Sequence, residues 1–335
     1  MKDRSTEYMY GSARVRAMEN GIIGNSRLRA LIDSRSLSDA LEKLSSFGLK
    51  LDRREDGAVI GADTALAEIL RTAYTEICEM YPDTNVFEWL RYPYDCNNLK
   101  LAIKCRIRNL SADELMFGFG SVGAAATIDS VFSGDYTAFP KNMAEAAALA
   151  TDEYSRTRDP RVIDTLIDRA CYSDMLECAM ESGEAVFVNW VKTKIDLTNI
   201  MTTLRMMRMN NTVGGRIFLE GALLPNGEIP TSDLLAAYDD GEETLFYQLS
   251  VGKYSGLATD MKKTDASLSS LERCCDNYYM NLIKAVKWMP FGAPLLAAYL
   301  IAREYEVKNI RIILAAKDAG LGADVIFERL RESYV

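Results

Sequence analysis

The chain has 335 residues, of which 48% are hydrophobic and 26% charged, with a formal net charge of −9 and no histidine at all. That length admits two or three domains, and the acidic balance excludes the basic surface a nucleic-acid binder needs. The lack of histidine excludes Ser–His triads, Cys–His dyads and His-bearing zinc sites.

Along the chain, the opening MKDRSTEYMYGS is too polar for a secretory signal. Ser36–Phe47 reads as a helix with Leu41 and Leu44 on its apolar face and Gly48 as its stop. Thr64–Met80 repeats Leu66, Ile69, Leu70, Ala73 and Ile77 at helical spacing, with Thr64 as the expected N-cap. Next comes MFGFGSVGAAATIDS (116–130), whose Gly118, Gly120 and Gly123 match the dinucleotide fingerprint G-x-G-x-x-G. Its context is poor: only Glu114–Phe117 precedes it as a possible strand, and Ala144 stands where an acidic ribose ligand is wanted. A turn is the better reading.

Met143–Tyr154, Pro160–Glu177 and Ala266–Trp288 are rich in helix formers, and the nearest approach to a strand, Ala185–Val188, reads equally as helix. Asp239, Asp240, Glu242 and Glu243 form an acidic run without calcium-loop spacing, so a solvated loop or helix start is expected. Gly252-Lys253 is followed by Tyr254 and lacks the upstream glycine of a phosphate loop. The most apolar stretch, Trp288–Ala302, is too short for a membrane span. The seven cysteines form no C-x-x-C and read as free thiols. Scarce strand signals point to an all-α fold.

A repeat search finds DCNNLK from Asp95, DLTNIM from Asp196 and EVKNIR from Glu306. Asn98, Asn199 and Asn309 in these stretches lie 101 and 110 residues apart, each ahead of a basic, apolar helix. Trp89 and Trp190 each stand six residues before their aspartate. A second pattern precedes the asparagines by 77, 79 and 82 residues: Gly21-Ile-Ile23-Gly24, Gly120-Ser-Val122-Gly123 and Gly227-Glu-Ile229-Pro230. Three helical repeats are expected, at 1–112, 113–215 and 216–335, each of a size proper to a small domain.

YGSARVRAME from Tyr10, the Asn98-Leu99-Lys100 helix, FGAPL from Phe291 and KNIRIIL from Lys308 are similar to the C subunits of bacterial and archaeal V-type (A-type) ATPases, the family that includes the vacuolar d subunit. The resemblance spans the whole chain; the family often has a glutamate where Ala293 stands. It implies an all-helical funnel of three pseudo-symmetric repeats around a pseudo-threefold axis. It further implies a non-catalytic rotor component on the cytoplasmic face of the membrane, without cofactor or nucleotide, whose partners are the central stalk and the proteolipid rotor ring. The remaining alternatives are a helical scaffold of another assembly and an all-α Mg²⁺-dependent enzyme, for which no Asp-Asp-x-x-Asp cluster is present.

Asp95, Asn98, Asp196, Asn199, Glu306 and Asn309 recur, so they serve something every repeat needs. An acid three residues before asparagine suits a helix-start turn, where side-chain oxygens satisfy backbone donors; contact with a partner is the alternative. Arg14, Arg16 and Glu19 are expected to pair on one helix face, or to meet another domain or the stalk. Arg106, Arg108, Arg205, Arg208 and Lys317 give the motif helices basic ends that complement the helix dipole or contact a partner.

Overall fold

The computed structural model describes residues 8–49, 52–53, 59–81, 84–112, 115–209 and 214–335. The start of the N-terminal polar stretch and Glu114 of the possible strand lie outside those residues. The helices are α1 (Met9–Met18), α2 (Asn25–Ile32), α3 (Leu37–Ser46), α4 (Ala62–Met80), α5 (Tyr92–Arg108), α6 (Ala124–Ser133), α7 (Lys141–Thr157) and α8 (Arg161–Glu181). They continue with α9 (Ala185–Arg208), α10 (Gly215–Ala222), α11 (Thr231–Asp240), α12 (Glu242–Ser250), α13 (Ser255–Lys262), α14 (Leu268–Lys284), α15 (Ala293–Asp318) and α16 (Ala323–Arg329). Among the described residues, extended structure is confined to an antiparallel pair, β1 (Asp52–Arg53) and β2 (Val59–Ile60), with Asp52 opposite Ile60. The expected all-α class holds.

Two compact units divide the chain: residues 1–82 with 260–335, and residues 83–259. In the first unit α15 is the axis of the core, packed by α1, α2, α3, α4, α14 and α16. Its first ten residues, Ala293 to Ala302, are all buried. A helix apolar on every face requires neighbours all round, which accounts for the most apolar stretch of the sequence. Gly292 precedes it at φ +139, in the region open to glycine, and donates its N–H to Ser12 Oγ at 3.1 Å. On α1, Gly11 faces Leu296 so closely that a Cβ there would lie 3.2 Å from its side chain.

In the second unit α8 is the hub, packed by α5, α7, α9 and the 3₁₀ helix Thr84–Leu90. Trp89 and Trp190, the tryptophans at matched positions, meet in this core with ring centroids 6.5 Å apart, and Phe187 lies 5.4 Å and 5.7 Å from them. Ala185–Val188 is helical and opens α9.

Local rules explain some of the helix ends. Ser36 caps α3 by accepting the Asp39 N–H, and Gly48 follows that helix at φ +99. The expected cap at Thr64 is wrong: α4 begins earlier, behind Gly61 in the left-handed region, and Thr64 lies inside the helix. Asp239 and Asp240 end α11, and Glu242 and Glu243 open α12, where carboxylates complement the helix dipole.

Candidate functional site

The six recurring residues are all buried, and the structure shows what each holds. Asn98 takes Phe117 by both backbone groups. The Phe117 N–H donates to Asn98 Oδ1 at 2.8 Å, and Asn98 Nδ2 donates to the Phe117 carbonyl at 2.9 Å. Asn199 does the same to Leu224, at 2.8 Å and 2.9 Å, and Asn309 to Arg331, at 2.9 Å and 3.0 Å. An asparagine side chain carries one acceptor and two donors on a planar amide, so it can stand in for a strand partner where no strand exists.

The acids hold the second recurring pattern. Asp95 accepts the N–H groups of Ser121 and Val122 at 3.0 Å each, and the Ser121 hydroxyl at 2.5 Å. Asp196 accepts those of Glu228 and Ile229 at 3.1 Å each, and the Tyr254 hydroxyl at 2.6 Å. Glu306 accepts the Ile23 N–H at 2.7 Å and pairs with Arg303 at 2.6 Å. Val122, Ile229 and Ile23 occupy the same place in their Gly-x-Val/Ile-x turns, one residue before the caps Gly123, Pro230 and Gly24 of α6, α11 and α2. Each carboxylate thus lies against the positive end of a helix distant in sequence.

These findings correct the helix-start reading. Asp95 sits in the first turn of α5, but Asp196 and Glu306 lie deep inside α9 and α15. The donors they satisfy belong to other helices' opening turns. They also dispose of the dinucleotide reading of 118–123. Those residues form turns ahead of α6, and the N–H groups of Ser121 and Val122, which a pyrophosphate would want, are taken by Asp95.

The glycines of two turns have a steric cause. A Cβ on Gly120 would lie 2.2 Å from Asp95 Oδ1, and one on Gly227 would lie 2.1 Å from Asp196 Oδ1. Gly21, in the turn held by Glu306, has open space instead.

Burial raises the carboxyl of Asp95, Asp196 and Glu306 above its ordinary range; the hydrogen bonds to Asp95 and Asp196, and Arg303 beside Glu306, act in the opposite sense. The Tyr254 hydroxyl is likewise raised, by burial and by Asp196 beside it.

The cationic candidates divide. Arg16 pairs with Glu19 at 3.2 Å and donates to the carbonyls of Lys287 and Met289, at 2.5 Å and 3.2 Å. Glu19 also accepts the Tyr334 hydroxyl at 3.1 Å, so this pair ties α1 to segments near the other end of the chain. Arg106 donates to the Val131 carbonyl and lies over the Phe132 ring, and Lys317 donates to the Ser34 carbonyl at 2.7 Å. Arg208 pairs with Glu242. Arg14 is exposed, touching Tyr10 at 3.4 Å, and Arg108 and Arg205 are exposed.

Sequence reasoning missed Asp174, whose carboxylate accepts the N–H groups of Asn142 and Met143 in the first turn of α7, at 3.0 Å and 2.8 Å. It also missed Asp276, which receives Lys308 at 2.5 Å and Arg331 at 2.9 Å. Neither stands in a repeated pattern, so no local signal marks it.

Among known proteins, the family described as ATP synthase (C/AC39) subunit matches residues 12–329. The C subunit of the V-type sodium ATPase of Enterococcus hirae is 23% identical over 98% of this chain and 99% of its own length. The C subunit of the A-type ATP synthase of Thermococcus kodakarensis is 23% identical over 98% and 91%. That of Methanocaldococcus jannaschii is 24% identical over 95% and 85%.

Proposed function

Because the chain belongs to the ATP synthase (C/AC39) subunit family, we propose that it couples the membrane rotor ring of a V/A-type ATPase to the central stalk. In this reading it passes torque between the two and catalyses nothing itself. The observation that carries the proposal is coverage: relatives named as C subunits align with nearly all of this chain and nearly all of themselves. The proposed place is the cytoplasmic face of the membrane, within the complex; among the described residues no helix is long and apolar enough to cross a bilayer.

The three-repeat organisation, at 1–112, 113–215 and 216–335, belongs to the same proposal, as does the funnel about a pseudo-threefold axis that the family resemblance implies. The matched bonds of Asp95, Asp196 and Glu306, and of Asn98, Asn199 and Asn309, support the repeats. In this reading they are internal fasteners that keep each unit stiff, and stiffness is what a torque-bearing part requires. Exposed Arg14 and Arg205 are candidates for partner contact in this reading, and Arg16, Glu19, Arg106 and Lys317 hold other parts of the chain.

The test is a pull-down with the purified chain against a detergent-solubilised rotor ring and against a central-stalk complex, beside an ATPase assay of the chain alone. Binding to both partners with no hydrolysis is expected. Failure to bind either, or turnover of ATP by the chain alone, would overturn the proposal.

A further inference from the structure

Two thiols meet where α5 packs on α8 in the core of the second unit. Along this antiparallel helix pair, the ion pairs Lys104–Asp164 and Lys100–Asp168, the latter at 2.5 Å, follow one another at a one-turn step. The next step in the same register brings Cys96 to Cys171. Cys96 Sγ lies 3.9 Å from the Ile167 carbonyl, one turn ahead of Cys171 on α8, and the Cys171 thiol donates to Cys96 Sγ. Both cysteines are buried, and both are free thiols.

The surroundings of the pair suit oxidation. The Cys96 S–H donates to Asp168 Oδ1 at 3.2 Å, and the Lys100 ammonium donates to the same oxygen. A carboxylate that can take the thiol proton and a cation that can hold the thiolate are therefore both in place. The Asp168 side chain is 40% exposed, so the Cys96 sulfur lies one side chain from solvent. Cys171 sits deeper, and its hydrogen bond to Cys96, together with burial, keeps its thiol well above the usual range. Other cysteines lack this setting. Burial pushes the half-buried Cys178 thiol up to about 11, and Cys274 and Cys275, consecutive in α14, point about 100° apart.

We propose that Cys96 and Cys171 form a disulfide, driven by a hydroperoxide, that locks α5 to α8. Cys96 passes its proton to Asp168, and the thiolate attacks the peroxide. The O–O bond breaks, Cys96 becomes a sulfenic acid, and the leaving oxygen recovers the proton and departs as water or an alcohol. The Cys171 sulfur then attacks the Cys96 sulfur, the S–O bond breaks, and the Cys171 proton leaves with the hydroxyl as water. The two sulfurs together give up two electrons, and the peroxide takes both. Because the thiols already share a hydrogen bond, closure needs no large movement of either helix. The inference does not depend on the rotor reading, and its test involves neither ring nor stalk.

In the experiment the reduced full chain is treated with hydrogen peroxide, its remaining thiols are alkylated, and the digest is read by mass spectrometry without reduction. A peptide pair joined through Cys96 and Cys171 is expected as the main oxidation product, reversed by dithiothreitol. The midpoint of thermal unfolding should rise by about 5 °C. Cys171→Ser should instead accumulate a sulfenic acid on Cys96, trapped by dimedone. Lys100→Gln should slow oxidation of Cys96 about tenfold, and Lys100→Arg should preserve it. Absence of the joined pair from the folded wild type, or oxidation falling first on Cys178, would overturn the inference. An unchanged unfolding midpoint would overturn the lock, and a Lys100→Gln variant oxidised at the wild-type rate would overturn the part given to Lys100.

Discussion

Asn199 and Leu224 form a closed pair, each donating one hydrogen bond to the other, with both residues buried. Asn199→Ala strands a buried N–H and a buried carbonyl together, and a loss of about 2–4 kcal/mol is expected. Asn199→Asp keeps the acceptor but sets a carboxylate against the Leu224 carbonyl, so it should not rescue the alanine variant. Urea unfolding measures both. A loss below about 1 kcal/mol for alanine would mean that water replaces the amide.

Glycine substitutions should separate sharply by position. Gly120→Ala and Gly227→Ala drive a methyl into the carboxylates of Asp95 and Asp196, and each should cost about 2 kcal/mol or more. Gly21→Ala meets nothing and should stay within about 0.5 kcal/mol of the parent. Equal losses at all three would show that backbone freedom, and not carboxylate approach, selects glycine there.

Stability should fall as pH rises through the weakly acidic range. Burial raises the carboxyls of Asp95, Asp196 and Glu306, so the unfolded chain ionises first, from about pH 4 upward. Their contribution is fully present below that unfolded value and is lost as pH passes through the raised native values. Asp196→Asn should flatten the slope of unfolding free energy against pH. Tyr254→Phe removes the 2.6 Å donor that favours the charged form, so it should steepen the slope. Identical pH profiles for all three proteins would refute the assignment.

Glu306→Ala should be the most damaging of the three acid deletions. It frees the Ile23 N–H and also leaves the largely buried Arg303 without its carboxylate, whose Nε already lacks a partner. A loss of about 3–5 kcal/mol is expected, against about 1–3 kcal/mol for Asp95→Ala. Hydrogen exchange read at the Ile23 amide should rise ahead of global unfolding.

The sequence carried both recurring patterns and the all-helical class, because glycine turns, acid–asparagine spacing and 3.6-residue periodicity are local. What it withheld is that the two patterns bind each other. Asp95 and Val122, Asp196 and Ile229, and Glu306 and Ile23 are joined only once packing has chosen their neighbours. The helix-start reading failed at Asp196 because Ala185–Val188, β-branched at two positions, hid the first turn of α9. Phe117, Leu224 and Arg331 share no side-chain chemistry, since asparagine grips their backbones alone.

The place of α15 sets a timetable for synthesis. The partners α1 to α4 leave the ribosome first, yet the helix that completes their core is encoded more than two hundred residues later. Residues 83–259 hold a complete core of their own and can fold while the remainder is being made. The opening segment must wait, with its apolar faces uncovered, until the last helices emerge and the Ile23–Glu306 bond can close a loop of nearly the whole chain. A nascent chain cut short before α15 is therefore a half-finished protein whose first-made part is the least protected.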